Sequence, residues 1–210
     1  FFQLPDQEHL SSPVEKLHIA TLLLRDLMVD RVEVASARVS AGEQDAVRLI
    51  TGWASQNGLL DRIEVLGFID GDTSLDWILN AGGRVINLLC KGSLRHLEKQ
   101  LRKTPREHIG DIRKIVRNAG DRGMQVNIYL EDWSNGMIHS EDYVLQLVDS
   151  LRDENIKRFM LPDTLGILNP DQTYRFCRQM IERYDSLHFD FHAHNDYDLA
   201  VANVWSAVNA

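Results

Sequence analysis

Six short apolar segments recur along the chain at spacings that suit alternating strands and helices. They are Val32–Ser36, Ile63–Phe68, Val85–Cys90, Val126–Leu130, Arg158–Leu161 and His188–His192. Each has apolar neighbours and few alternating polar positions, the pattern of strands buried on both faces of a parallel sheet. Their starts at 32, 63, 85, 126, 158 and 188 give steps of 31, 22, 41, 32 and 30 residues. A step near 30 residues is the length of one strand, its crossover helix and two loops.

Helical patterns fill the intervals. Val14, Leu17, Leu24 and Leu27 repeat at helical spacing, as do Val144, Leu147, Val148 and Leu151. Helix starts are marked chemically. Ser12-Pro13-Val14-Glu15 and Thr104-Pro105-Arg106-Glu107 read as capping boxes, and Asn169-Pro170-Asp171-Gln172 repeats the arrangement with amides. Gly58, Gly82-Gly83 and Gly123 fall where helices should end. A doubly wound sheet and an eight-fold barrel both fit such a pattern. No GxGxxG turn follows the first segment, so the TIM (β/α)8 barrel is the better reading. Eight units need about 250 residues, whereas this chain shows six strands in 210. The expectation is an incomplete barrel, with first and eighth strands missing or divergent, as one domain over residues 1–210 and an atypical segment over 1–12. An open barrel exposes strand edges to association.

Composition narrows the class. With 44% hydrophobic and 26% charged residues, the chain is globular, not disordered. An excess of 31 acidic over 23 basic residues, net −8, argues against nucleic-acid or anionic-membrane surfaces as partners. No apolar run is long enough to span a membrane, and no signal peptide opens the chain. Cys90 and Cys177 lie in apolar segments without CxxC spacing, as expected of buried thiols in a reducing, cytoplasmic compartment.

Reactive groups of a parallel α/β fold collect at the carboxyl ends of its strands. Asp70, Glu131-Asp132, Asp163-Thr164 and His192-Ala-His-Asn-Asp196 occupy those positions. Residues i and i+2 of a strand share a face, so His192 and His194 stand together, and two imidazoles beside carboxylate and amide oxygens make a divalent-metal site. Hydrogen-bonded structural histidines are an equal alternative. Glu131-Asp132 also suits a loop cap, and Asp163 a helix N-cap. Glu33, inside an apolar strand, needs a partner, so it either pairs structurally with an arginine or lysine or belongs to the site. His188, at a strand start, reads as structural; His9, His18, His108 and His139 read as surface or helix residues. Barrel hydrolases carry HxH on a first strand, whereas here it closes the chain.

His192-Ala-His-Asn-Asp-Tyr-Asp-Leu-Ala-Val-Ala-Asn203 resembles the HxHND signature of the isopropylmalate synthase, homocitrate synthase and HMG-CoA lyase superfamily. Leu161-Pro-Asp-Thr-Leu-Gly166, Glu131-Asp132 and Val32-Glu-Val-Ala-Ser36 resemble its sixth-, fifth- and second-strand motifs, and Ser93 with His96 its Ser-x-x-His. The stretches Val29–Ser40 and Tyr129–Gly136 look like the bacterial 2-isopropylmalate synthase branch.

The resemblance implies a barrel with one divalent metal (Mg2+, Mn2+ or Zn2+) held by His192 and His194. It implies an acyltransferase that condenses acetyl-CoA with a 2-oxo acid, 2-oxoisovalerate giving 2-isopropylmalate in leucine biosynthesis. Glu131 and Thr164 would be catalytic, Glu33, His96 and Asp163 would bind substrate, and Asn195, Asp196 and Asn203 would brace the metal ligands. A homodimer is implied by analogy. The alternatives are a citramalate or homocitrate synthase, an HMG-CoA-lyase-like enzyme, or a catalytically incomplete barrel. Departures from the family pattern are specific. Leu4-Pro-Asp-Gln-Glu8 stands where the family has LRDGEQ, so Asp6 is not read as a ligand. The family's eighth-strand NGxGERxGN motif would follow Ala210. Asn87 and Tyr129 stand where leucine-pathway members often carry histidine and serine. Lys91, Arg95, Lys99 and Arg102 are candidates for CoA phosphates or a solvated helix face.

Overall fold

Helix starts follow the side-chain chemistry. In a computed structural model describing residues 2–3 and 12–210, with side chains from 12 onward, α1 (Pro13–Thr21) begins at a complete Ser12/Glu15 capping box. The Leu4–Glu8 echo, with Asp6, and His9 lie outside the described residues. The chain divides into two compact units, Phe1–Leu88 with Arg117–Val126, and Leu89–Val116 with Asn127–Ala210.

The first unit adds a short strand to the expected set. β1 (Phe2–Gln3) pairs parallel with β2 (Val32–Ser36), β2 with β3 (Ile63–Gly67), and β3 with the beginning of β4 (Val85–Lys91). Helices α2 (Ala41–Gln56) and α3 (Thr73–Asn80) follow β2 and β3. Val32, Val34, Ile63, Val65 and Ile86 are buried with Val47 and Ile50 of α2. Ser40 caps α2 by accepting the Glu43 N–H at 3.1 Å. Glu43 then meets Lys16 of α1 at 2.5 Å with both side chains buried. Removing either partner leaves an uncompensated buried charge, at a cost of about 3–5 kcal/mol.

The apolar repeat expected over residues 14–27 does not form one face. Val14 and Leu27 are 67% and 69% exposed, while Leu23 and Leu24 are buried. The cause is a π-helical turn at Leu22–Asp26, where the Leu27 N–H reaches the Leu22 carbonyl. Such a turn holds more residues than an α-helical one and resets the phase of the repeat.

In the second unit, β4 ends and α4 (Leu94–His96) leads through a π-turn (Leu97–Leu101) to α5 (Pro105–Asp121). There follow β5 (Gln125–Glu131), α6 (Trp133–His139), α7 (Glu141–Leu151), β6 (Arg158–Asp163), α8 (Pro170–Arg183), β7 (Phe189–Ala193) and α9 (Ala200–Val208). β5 pairs parallel with β6 and β6 with β7. Val144, Leu147, Val148 and Leu151 of α7 are fully buried, as their spacing requires. β7 differs from expectation, since all five residues are only half-buried. Parallel strands in chain order, alternating with helices, give the α/β fold of an incomplete TIM barrel.

Three strands run past their expected apolar ends, and the added last residues are Lys91, Glu131 and Asp163. Gly82, in the left-handed region at φ 81°, leaves no room for a Cβ beside the Thr51 hydroxyl. Cys90 and Cys177 are buried thiols, and burial pushes the Cys177 thiol up to about 12. Among the described residues no helix is long and apolar enough to cross a membrane.

The Asn169/Gln172 box is complete at α8, with bonds of 2.8 and 3.1 Å. Asn169→Ala should lower stability by about 1 kcal/mol in urea denaturation; an unchanged midpoint would show that this box contributes nothing.

Candidate active site

The second unit gathers most of the singled-out residues at its strand ends. Lys91, last in β4, and Glu131, last in β5, form an ion pair between Nζ and Oε2. The Gly92 N–H donates to the Glu131 carbonyl at 2.7 Å, so the two strand ends lie in register. The next residues meet as well. The Ser93 hydroxyl donates to Asp132 Oδ2 at 2.6 Å, and Asn135 Nδ2 donates to Asp132 Oδ1 at 2.8 Å. His96 Nε2 lies 3.4 Å from Asp132 Oδ2, which gives His96 a place against that carboxylate.

Asp132 has φ 66°, uncommon for a residue with a Cβ. Its N–H is received by the Thr164 hydroxyl at 2.8 Å. Thr164 thus holds the turn that follows Glu131.

Asp163 is completely buried, and its two oxygens accept the Ile167 and Leu168 N–H groups at 3.0 Å each. It shapes the loop after β6. Asn203, also completely buried, donates to the Leu168 carbonyl at 2.8 Å and so ties α9 to that loop. Asn195 caps α9, accepting the Ala200 N–H at 3.1 Å. Asp196 is exposed and lies against Gly166, where a Cβ would meet Asp196 N and Oδ2 at 2.9 Å.

His192 of β7 and His194, one residue past its end, stand together with rings stacked at 5.0 Å and 11°. His192 is half-buried and His194 exposed. Burial, with the neighbouring imidazole, pulls His192 down to about 4, so it is neutral near pH 7. Tyr129 packs edge-on against His192 at 5.6 Å. Tyr129 and Glu131 share a face of β5 because they are two residues apart. The carboxylate and the imidazole pair are thereby linked through one buried tyrosine.

Glu33 lies in the first unit and is described there. Asn87 Nδ2 donates to Glu33 Oε2 at 2.6 Å and to Glu64 Oε2 at 3.0 Å, all three buried, and Arg31 approaches Glu64 at 3.6 Å. Asp70, in the same unit, pairs with Arg38 at 2.6 Å and accepts from Ser74.

Other histidines sort by burial. His18 and His139 are exposed, whereas His108 on α5 is completely buried, not superficial. The signal missed was its neighbours: Ile109, Ile112 and Ile115 carry the buried side of α5 past it. Its Nε2 accepts the Lys91 N–H at 3.0 Å. Of the CoA candidates, Arg95 and Lys99 line an open cavity of about 410 Å³ with Ser93, Asn135 and His139. Sequence reading also missed Ser93 and Asn135 as the supports of Asp132, because neither residue type announces a partner 39 positions away or a strained turn three positions away.

His108 supplies a pH test. Burial, with the Lys103 and Lys91 cations, lowers it to about 4, against about 6.5 in the unfolded chain. The unfolded state therefore binds the extra proton between those values, and stability falls as pH drops from about 6.5 towards 4, by at most about 1.4 kcal/mol per pH unit. His108→Leu should be less stable than the parent at pH 8, and that gap should narrow at pH 5 in urea titrations. A gap that does not change with pH contradicts the assignment.

Residues 6–210 match the HMGL-like family. The chain is 32% identical over 200 residues to a putative (R)-citramalate synthase of Methanothermobacter thermautotrophicus, covering 95% of this chain and 38% of that protein. It is 29% identical over 197 residues to 2-isopropylmalate synthase of Sulfolobus acidocaldarius, covering 93% and 49%. Among solved structures, HMG-CoA lyase of Bacillus subtilis superposes with a TM-score of 0.78 at 18% identity, over 97% of this chain and 69% of that one. The chain thus spans between 38% and 49% of the length of these two curated relatives.

Proposed function

Because the chain belongs to the HMGL-like family, we propose that it carries the site of an acyltransferase that joins acetyl-CoA to a 2-oxo acid. The observation that carries this reading is the Glu131 carboxylate, one oxygen held by Lys91 and the other open, on a strand face shared with Tyr129, which touches His192.

His192 and His194 suit a divalent ion such as Mg2+, Mn2+ or Zn2+: two adjacent imidazoles at and just past the end of β7, the inner one neutral. Among the described residues no group of three or more His, Cys, Asp or Glu is arranged to hold an ion. The pair therefore supplies two ligands, and Asn195 and Asn203 stabilise the loop and helix that follow them. A bound ion supplies Lewis acidity to the acceptor carbonyl.

Glu131 Oε1 takes a methyl proton from acetyl-CoA, the general-base step. The enolate carbon then bonds to the ketone carbon of the acceptor as its C=O π bond opens, and the resulting alkoxide takes a proton from solvent to become the new hydroxyl. Water cleaves the thioester and CoA leaves as the thiol. Thr164 holds the turn after Glu131, and His96 with Ser93 holds Asp132, so the carboxylate is presented by a supported backbone. In the first unit, Glu33 meets Asn87 and Glu64 and supports the substrate role only by resemblance.

The acceptor implied by the sequence is 2-oxoisovalerate, giving 2-isopropylmalate. Tyr129 favours a second reading, a smaller acceptor such as pyruvate, because its buried ring fills space beside His192. Free-thiol release with Mn2+, acetyl-CoA and a panel of 2-oxo acids tests both. Acceptor-dependent thiol is expected. Tyr129→Ser should shift preference towards 2-oxoisovalerate over pyruvate by roughly tenfold, the scale of one or two methylenes in a pocket. An unchanged preference removes the tyrosine argument. No thiol with any acceptor overturns the synthase reading, and acetyl-CoA released from a 3-hydroxyacyl-CoA would replace it with a lyase.

A further inference from the structure

The end of β4 is held from three directions, two of them by side chains that the proposed reaction does not use. The Lys91 N–H donates to His108 Nε2 at 3.0 Å, and the Tyr143 hydroxyl donates to the Lys91 carbonyl at 2.8 Å. One residue on, the Gly92 N–H donates to the Glu131 carbonyl at 2.7 Å. His108 is completely buried and Tyr143 nearly so. Burial keeps the His108 ring neutral, so Nε2 stays an acceptor and its proton sits on Nδ1. Both peptide groups flanking the Lys91 side chain are thereby fixed, and the side chain starts from a rigid base.

Its far end is equally specified. The Lys91 side chain is 12% exposed, and Nζ pairs with Glu131 Oε2. Glu131 Oε1 has no partner among the described residues, and its side chain is 23% exposed. A glutamate at a strand end has three rotatable bonds and no inherent aim. A cation on one oxygen removes that freedom and leaves the other oxygen facing outward. Misplacement of a reacting group by about 1 Å costs on the order of a hundredfold in rate, so aim matters more here than added charge.

We propose that Lys91 is the positioning residue for Glu131: its ammonium, set on the His108–Tyr143 base, holds Oε2 so that Oε1 is presented to the substrate. This rests on the condensing reading above, in which Oε1 receives the methyl proton. It also separates Lys91 from Arg95 and Lys99. Those two line the open cavity, whereas the charge of Lys91 is used within the site and acts through Glu131.

The test combines kinetics with a readout that needs no turnover. In the thiol-release assay, Lys91→Met should lower kcat roughly tenfold to a hundredfold with the KM for acetyl-CoA unchanged, and Lys91→Arg should recover most of it. In a Glu131→Gln background, Lys91→Met should cost little more. A full additional loss in that background, or an effect confined to the KM for acetyl-CoA, overturns the inference. Independently, 13C NMR of protein labelled at glutamate Cδ reads the pinning directly. The Glu131 signal, identified by its absence in Glu131→Gln, should shift in Lys91→Met and return in Lys91→Arg. An unmoved signal overturns the inference whatever the kinetics. Shifted signals in a protein that releases no thiol overturn the condensing reading alone.

Discussion

The hydrogen bond from the Gly92 N–H to the Glu131 carbonyl fixes the end of β4 against the end of β5, and the polar groups of the second unit are arranged around it. Only glycine permits it. A Cβ on Gly92 would meet the Leu130 carbonyl oxygen at 2.5 Å, and one on Gly136 would collide with the Gly92 carbonyl from the side of α6. With the strands in this register, Lys91 faces Glu131 and Ser93 faces Asp132. A slip of one residue would turn these side chains away from each other, because alternate residues of a strand face opposite ways.

Asp132 shows how such an arrangement is held. Its left-handed backbone costs on the order of 1–3 kcal/mol, and it persists because Ser93, Asn135 and Thr164 all bond to it. Asp163 makes the same investment for the next loop, with both oxygens on backbone N–H groups. Asp132 and Asp163 use their oxygens to shape loops, whereas Glu131 Oε1 has no partner among the described residues.

Much of the architecture was legible because it rests on local rules. The strands from Val32 onward, the 30-residue step and the capping boxes at Ser12 and Asn169 depend on neighbouring residues alone. The stacked pair at His192 and His194 followed from strand periodicity. What could not be read depends on partners distant in sequence. Lys91 reads in the sequence as a candidate for CoA phosphates or a solvated helix face, because nothing near it in the chain names Glu131, 40 positions on. His108 looked superficial because its acceptor role is defined by the end of another element. The face of α1 failed for a different reason, a π-turn whose phase shift leaves no mark in the apolar spacing. Glu33 is buried, and one of its partners is the Asn87 amide, which also reaches Glu64, a contact no local sequence pattern announces.

We propose that His192 and His194, at the end of β7, form a metal-ligand pair that serves the same chemistry as Glu131. Mn2+ binding, followed by electron paramagnetic resonance of the free ion, tests it without substrate. The parent chain should bind Mn2+, and His192→Ala and His194→Ala should each weaken binding tenfold or more, the scale on which even outer supports of a metal site act. The Glu131→Gln variant should bind as the parent does. Equal affinity in the parent and both histidine variants would contradict the claim.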